Sequence, residues 1–419
     1  MAKKNYSIII QNLFFAELIL LSFLLPINHA AFTIILIPTV ITSILHYISN
    51  GSIEFSINKR WVFLFILPYL ASFIGFLYSS NKPVALFDLE VKLSILLFPL
   101  ILFCLPKAEN KLKLNSLSAY IIGCFVAVSI CFVYATYWFY NVQQDIYCFY
   151  YTRFSILFHP TYFSMYLNLA IAILVLKMIN GYLNISGLTK LILWGIIAYF
   201  VSAIVLLSSK TGIITLLLIL ISAIAYIVIA RKKYFLALKI STVFIIALII
   251  FFQMVPFSTL RIKTAITEFI STKSKGENIE NSPSSTRLAT WKSSLEIINE
   301  NFIFGTGNGD AKEHLIEKYK ERKAYSAAEL KLNAHNQFLQ TFVELGLFGF
   351  SIFILCLIIP MYFAYKTNNI VYLIFILIFS INILTESMFN TRSGVLFYGF
   401  MNSLLFFQGN FNKKNEIIK

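Results

Sequence analysis

The sequence predicts an all-α, polytopic membrane protein. Three observations carry this. Apolar runs of about 20 residues, the length that crosses a bilayer, recur along most of the 419-residue chain. Charged residues make up 13% of the chain, whereas a soluble protein averages about 25%. The basic residues also collect at alternate connections between the apolar runs.

About twelve spans follow in order, at roughly 8–25, 30–48, 61–79, 84–105, 116–140, 160–180, 188–207, 211–230, 235–256, 336–365, 369–385 and 391–408. The first carries Glu17 and has no small-residue cleavage site, so it reads as a retained anchor rather than a signal peptide. The fourth is interrupted by Asp88, Glu90 and Lys92, and the last two are short and separated by a polar kink. The chain divides into residues 1–256 (spans one to nine), a large polar loop at 257–335, and residues 336–419 (spans ten to twelve and a tail).

Orientation follows from the positive charges. With Lys3 and Lys4 in the cytoplasm, Lys59/Arg60, Lys107/Lys111/Lys113, Lys177/Lys190, Arg231/Lys232/Lys233, Lys366 and Lys413/Lys414/Lys419 also fall inside. The opposite connections are poorer in charge, so both termini are expected in the cytoplasm. The loop at 257–335 then lies on the outer face, which is periplasmic in a bacterium with the protein in its inner membrane. The net charge of +15 is explained by this asymmetry and not by nucleic-acid binding. The five cysteines lie mostly in apolar spans with no CxxC or Cys/His spacing, so they read as small core residues, with no metal site or disulfide framework.

Two helices are expected in the outer loop. Ser284 or Ser285 can cap the first, which runs to about 300 with an apolar stripe of Leu288, Trp291, Leu295 and Ile298. Asp310 and Glu313 have capping-box spacing for the second, at about 311–323. Residues 271–285 read as a loop. Gly305–Asp310 lacks the Lys-Ser/Thr of a P-loop and reads as a turn joining the two helices.

The residues able to carry chemistry sit on the outer side. Arg287, in the first turn of its helix, opposes the helix dipole unless an anion shares the site, in which case free N–H groups and a guanidinium fork hold a phosphate together. Alone, its simpler reading is a solvated arginine. His335, between Asn333 and Asn336 where an apolar span resumes, can take a proton from a hydroxyl, or serve as a hydrogen-bonded interfacial histidine. Lys210, in Ser208-Ser209-Lys210-Thr211-Gly212, is the only charge between Lys190 and Arg231; it is functional or snorkels to the surface. Glu386, Asn390 and Arg392 form a polar cluster whose simpler reading is an internal Glu–Arg pair, and His159 is more simply a helix cap. Glu344 falls inside the apolar zone and requires a partner.

Four stretches together resemble the O-antigen ligase and polymerase superfamily. They are Ser-Ser-Lys-Thr-Gly at 208–212, Thr-Arg-Leu-Ala-Thr-Trp at 286–291, Asn-Phe-Ile-Phe-Gly-Thr-Gly at 301–307, and Ala-His-Asn-Gln-Phe-Leu-Gln-Thr-Phe-Val-Glu-Leu-Gly-Leu-Phe-Gly at 334–349. The resemblance implies a polytopic glycosyltransferase without a cofactor or metal requirement. It would move a glycan from undecaprenyl diphosphate, with inversion, to an acceptor hydroxyl such as a lipid A-core sugar. It implies that Arg287 holds the donor diphosphate and His335 is the essential histidine. Lys210 stands where many members have arginine, which keeps the charge but loses the bidentate fork. Glu386 matches, more loosely, an acidic residue that follows the penultimate span, and Asn336, Glu344, Arg392 and His159 are supporting candidates. The same motifs fit a polymerase acting on the same lipid-linked donor or a protein O-oligosaccharyltransferase. A lipid-glycan transporter would instead place its polar residues along a mid-bilayer path. Glycan, acceptor and oligomeric state are not legible.

Overall fold

The computed structural model describes residues 2–50, 61–103, 110–179, 186–229 and 283–407, with a few isolated positions between 232 and 242. Most of the expected ninth span at 235–256 and most of the expected loop at 271–285 lie outside the described residues. The protein is an all-α polytopic membrane protein, and no strand occurs among the described residues. Seven helices there are long and apolar enough to cross a membrane, and two shorter apolar ones, Val62–Tyr78 and Ile370–Ile383, accompany them.

The helices run in order as α1 (Ala2–Leu24), α2 (His29–Asn50), α3 (Val62–Tyr78), α4 (Lys82–Phe103), α5 (Asn110–Trp138), α6 (Tyr151–Phe154), α7 (Pro160–Ile179), α8 (Gly187–Leu206) and α9 (Lys210–Ile229). Further along the chain come α10 (Pro283–Glu300), α11 (Ala311–Glu321), α12 (Tyr325–Glu329), α13 (Gln337–Lys366), α14 (Ile370–Ile383) and α15 (Arg392–Phe407). They form two compact units: one comprises Met1–Gly123 with Glu280–Lys419, the other Cys124–Ile279.

The larger unit is centred on α15, in which every residue from Gly394 to Phe407 is buried. Lipid tails are as apolar as leucine, so helices here associate through close packing and hydrogen bonds rather than by escaping water. Gly399 permits that closeness: a Cβ there would stand 2.9 Å from the Ser94 carbonyl oxygen of α4. Ser94 in turn donates to the Val395 carbonyl at 3.2 Å. Around this contact Phe32, Phe98 and Phe400 meet edge to face with centroids 5.1–5.8 Å apart, each pair contributing about 0.5–1.5 kcal/mol. In the smaller unit α7 is the central helix, buried from Pro160 to Leu174, with α8 and α9 packed on it.

The helices α10–α12 depart from the sequence reading in three ways. The helix α10 starts at Pro283, a residue whose missing N–H is no loss in a first turn, so Ser284 and Ser285 lie inside the helix rather than capping it. Its buried face runs through Thr290, Ser293, Ser294, Ile297 and Ile298, while Leu288 and Leu295 of the expected stripe are 42% and 52% exposed. The small hydroxyl residues let α10 sit close to its neighbours, and the apolar core of this layer is Ile297, Ile298, Leu315, Tyr319, Ala327 and Ala328, closed by Val343 of α13. Asp310 precedes α11 as expected but does not cap it. Its carboxylate instead accepts from Ser80 N at 2.6 Å and Asn81 N at 2.8 Å, fixing the turn before α4.

The expected span at 336–365 is present as α13, but it is broken at Gly346, whose φ of 61° and ψ of −162° belong to a region that essentially only glycine adopts. The glycine-rich turn fills the break. Thr306 N and Gly307 N donate to the carbonyls of Val343 and Glu344, both at 2.9 Å, and Leu347 N donates to the Phe302 carbonyl at 2.8 Å. Gly305–Asp310 is therefore more than a connection between helices, since it supplies the hydrogen bonds that the broken helix leaves unmade.

Candidate functional site

The site is built in the larger unit where α10, the start of α13 and the turn after α14 meet. Arg287 lies one turn into α10, deeper than the first turn expected for it. Its Nη2 donates to Glu386 Oε1 at 3.4 Å, and its side chain remains 41% exposed. His335 has a left-handed backbone, φ 46°, held by a bond from its own N–H to Asn333 Oδ1 at 3.0 Å. Its ring Nδ1 lies 3.3 Å from Glu386 Oε2. Glu386 thus places one carboxylate oxygen on each partner and is itself 8% exposed.

The surrounding backbone is braced. Asn336 caps α13 by accepting from Phe338 N at 2.9 Å and Leu339 N at 3.2 Å. Gln340 Oε1 accepts from Ala334 N at 2.9 Å, and Gln337 Oε1 accepts from Phe389 N at 2.7 Å. The second of these ties the turn that carries Glu386 to the helix that follows His335.

Beneath the site lies a buried polar network. Lys92 of α4 donates to Asp88 Oδ2 at 2.7 Å and to Glu344 Oε2 at 3.2 Å. Glu344 Oε1 accepts from Gln340 Nε2 at 2.8 Å and Asn390 Nδ2 at 2.7 Å, while Asn308 Nδ2 donates to Asp88 Oδ2 at 2.8 Å. Glu344 therefore has the partner its apolar setting requires. A cavity of about 20 Å³ borders Lys92, Glu344, Gln337 and Thr341, room for about one water molecule.

Arg287, His335 and Glu386 come together, with Asn336 and Glu344 in the supporting segment. Arg392 does not join them. It pairs with Glu90 at 3.5 Å, with both side chains more than 60% exposed, so the expected internal pair of Glu386 with Arg392 is replaced by Glu386 with Arg287. Asn390 likewise turns to Glu344. The other two candidates belong to the smaller unit. Lys210 is exposed at the first residue of α9, after a turn in which Ser209 Oγ accepts from Gly212 N at 3.2 Å. Gly212 allows that turn to rest on α7, because a Cβ would overlap Ser164 Oγ at 2.3 Å. His159 immediately precedes α7, its Nδ1 accepting from Thr161 N at 3.5 Å, and its ring meets those of Tyr151 and Tyr162.

The sequence reading missed Asp88, Lys92, Asn308 and Gln340 as a group. Their one visible signal was the pair of opposite charges four residues apart inside an apolar span. It also treated Trp291 as apolar packing. The indole Nε1 of Trp291, one turn beyond Arg287, is buried with no hydrogen-bond partner among the described residues, as are Ser387 Oγ and Asn390 Oδ1.

An ionised carboxylate only accepts hydrogen bonds, so the contact with Glu386 puts the proton of neutral His335 on Nδ1. Nε2 then presents a lone pair. A base oriented by a carboxylate, beside a half-exposed guanidinium that can take an anion, is suited to activating a hydroxyl next to a phosphate-bearing substrate.

Comparison with known proteins gives a family match over part of the chain. Residues 195–354 match the family model described as O-Antigen ligase. The match includes Lys210, Arg287, His335, Asn336 and Glu344 and supports the O-antigen ligase and polymerase superfamily for this chain. An uncharacterized protein of Haemophilus influenzae (strain Rd) is 31% identical over 112 residues, which is 26% of this chain and 27% of the relative. The chain thus spans only about a quarter of the length of the curated relative it matches.

Proposed function

We propose that the protein is a glycosyltransferase of the O-antigen ligase type. In this reading it moves a glycan from undecaprenyl diphosphate to an acceptor hydroxyl, a lipid A-core sugar, at the periplasmic face of the inner membrane. The observation that carries the reading is the Arg287–Glu386–His335 constellation, two members of which lie in the segment that matches the family model.

His335 Nε2 takes the proton of the acceptor hydroxyl as its oxygen attacks the anomeric carbon from the face opposite the diphosphate. The new glycosidic C–O bond forms as the bond from the anomeric carbon to the diphosphate oxygen breaks. Undecaprenyl diphosphate departs with the electron pair, and the configuration inverts. Glu386 keeps the imidazole in the productive tautomer and stabilises the imidazolium that forms. Arg287 meets the charge that grows on the leaving diphosphate, an interaction stronger in the transition state than in the ground state and therefore one that raises the rate. The family resemblance adds Lys210 as a second phosphate contact, in which a point charge replaces the arginine fork.

Glycan analysis of a deletion strain tests this. Loss of polymer from lipid A, with long polymer accumulating on the lipid carrier, is the result expected of a ligase. Single repeat units on both would instead make the protein a polymerase. No change in either would contradict the lipopolysaccharide reading and point to a protein acceptor or a transporter.

A further inference from the structure

We propose that the turn Phe302–Phe304 inserts into the acyl-chain region of the bilayer leaflet bordering α10–α12, and so anchors that layer to the membrane. The inference rests on surface and backbone geometry and is independent of the transfer reaction.

Three consecutive bulky apolar side chains, Phe302, Ile303 and Phe304, are 49%, 60% and 67% exposed. They sit between the end of α10 and the glycine-rich turn, in an otherwise polar part of the sequence. A contiguous exposed apolar group of this kind marks a contact surface rather than a solvated loop.

Their position shows what covers them. The turn is bonded to α13 at its break, through Leu347 N to the Phe302 carbonyl, and to the end of α3, through Tyr78 OH to the Phe304 carbonyl at 2.5 Å. Below those bonds, both helices present apolar side chains outward: Phe348, Leu355 and Ile358 on α13, and Phe73 and Leu77 on α3. These recur at spacings of three, four and seven and form the lipid-facing side of the helices. From Leu347 to Lys366 the helix rises about 30 Å, the thickness of the hydrocarbon core, which puts Gly346 at its boundary. The exposed turn therefore continues the lipid-facing surface at its upper edge.

The turn is tied to the protein by backbone hydrogen bonds. The carbonyls of Phe302 and Phe304 are both hydrogen-bonded, and Gly305 N donates to Asn301 O at 2.9 Å. These bonds hold the turn against α3 and α13 while its three apolar side chains stay exposed.

The test is nitroxide accessibility in nanodiscs of phosphatidylethanolamine and phosphatidylglycerol. Ile303→Cys and Phe304→Cys are labelled in full-length protein whose five native cysteines are replaced by alanine. Leu355→Cys serves as the lipid reference and Glu329→Cys as the water reference. Collisions with oxygen several-fold above those with a nickel chelate, as at position 355, are the expected result. A ratio like that at position 329 overturns the proposal. So does a label shielded from both reagents, since that means a protein partner or second copy covers the turn. If the cysteine-free background does not fold, Phe304→Trp in the native background gives the same decision: added fluorescence quenched by brominated phosphatidylcholine supports insertion, and unquenched fluorescence refutes it.

Discussion

Glu386 is the residue on which the site turns, because a single buried carboxylate holds both Arg287 and His335. Glu386→Gln keeps the shape but removes the charge that stabilises an imidazolium. Turnover should fall by about 10²-fold or more with donor binding retained, measured as kcat and KM in membranes. Arg287→Lys keeps a charge but loses the fork, and should recover less than half of the wild-type activity while Arg287→Ala recovers none. Deeper in the unit, Lys92 bridges two carboxylates, Asp88 and Glu344, and no other cation pairs with either among the described residues. Lys92→Met should cost about 3–5 kcal/mol by leaving Asp88 and Glu344 uncompensated, read as a lower unfolding midpoint in detergent. The triple variant D88N/K92M/E344Q should regain most of it. Of these residues, Arg287 and His335 were legible in the sequence because a cation near a helix start and a histidine at a span boundary are locally odd. Glu386 was legible only loosely, since what distinguishes it is two contacts 99 and 51 residues away.

Among the elements, α13 shows what a linear pattern conceals. The stretch Glu344-Leu345-Gly346-Leu347 reads as continuous helix, because one glycine inside an apolar span carries no sign of a positive φ. The break becomes intelligible only with the 302–307 turn beside it, where a Cβ on Gly346 would lie 2.3 Å from the Ile303 carbonyl oxygen. Gly346→Ala should therefore unseat this turn, lowering the yield of folded protein and exposing 302–307 to protease, whereas Gly187→Ala, in open space, should do neither. Asp310 was misread for a related reason, as capping-box spacing is a local signal and the donors at Ser80 and Asn81 are remote in sequence. The layer α10–α11 carries its own pH signature. A hydrogen bond from Arg322 holds the Glu296 carboxyl below its ordinary value, and the bond from Arg322 Nε is 2.9 Å long. A lowered folded value means that this tie contributes fully above the ordinary carboxylate range and is lost as pH falls through the lowered value. Thermal melts followed at acid pH should show a loss of at most about 1 kcal/mol from this half-exposed pair, absent in Glu296→Gln.

For the whole molecule, composition and span length were enough to predict an all-α polytopic protein, because the bilayer imposes that solution on any chain this apolar. Individual spans were less legible. The helix α4 carries Lys82, Asp88, Glu90 and Lys92, charges that hydropathy penalises but that the fold partly pairs internally. Topology predicted from Lys and Arg places α10–α12 outside, and that placement can be measured by labelling Glu329→Cys in intact spheroplasts with a membrane-impermeant maleimide. Labelling without permeabilisation is expected, and labelling only after it would reverse the orientation. Under the proposed function, the Arg287–Glu386–His335 site transfers glycan from a lipid-linked diphosphate. The most direct test is reconstitution of purified protein with undecaprenyl-diphosphate-linked glycan and polymer-free lipopolysaccharide, with product resolved on a gel. Polymer on lipopolysaccharide is expected with wild-type protein and none with His335→Ala of equal folded yield; the same product from both would overturn this role for the site.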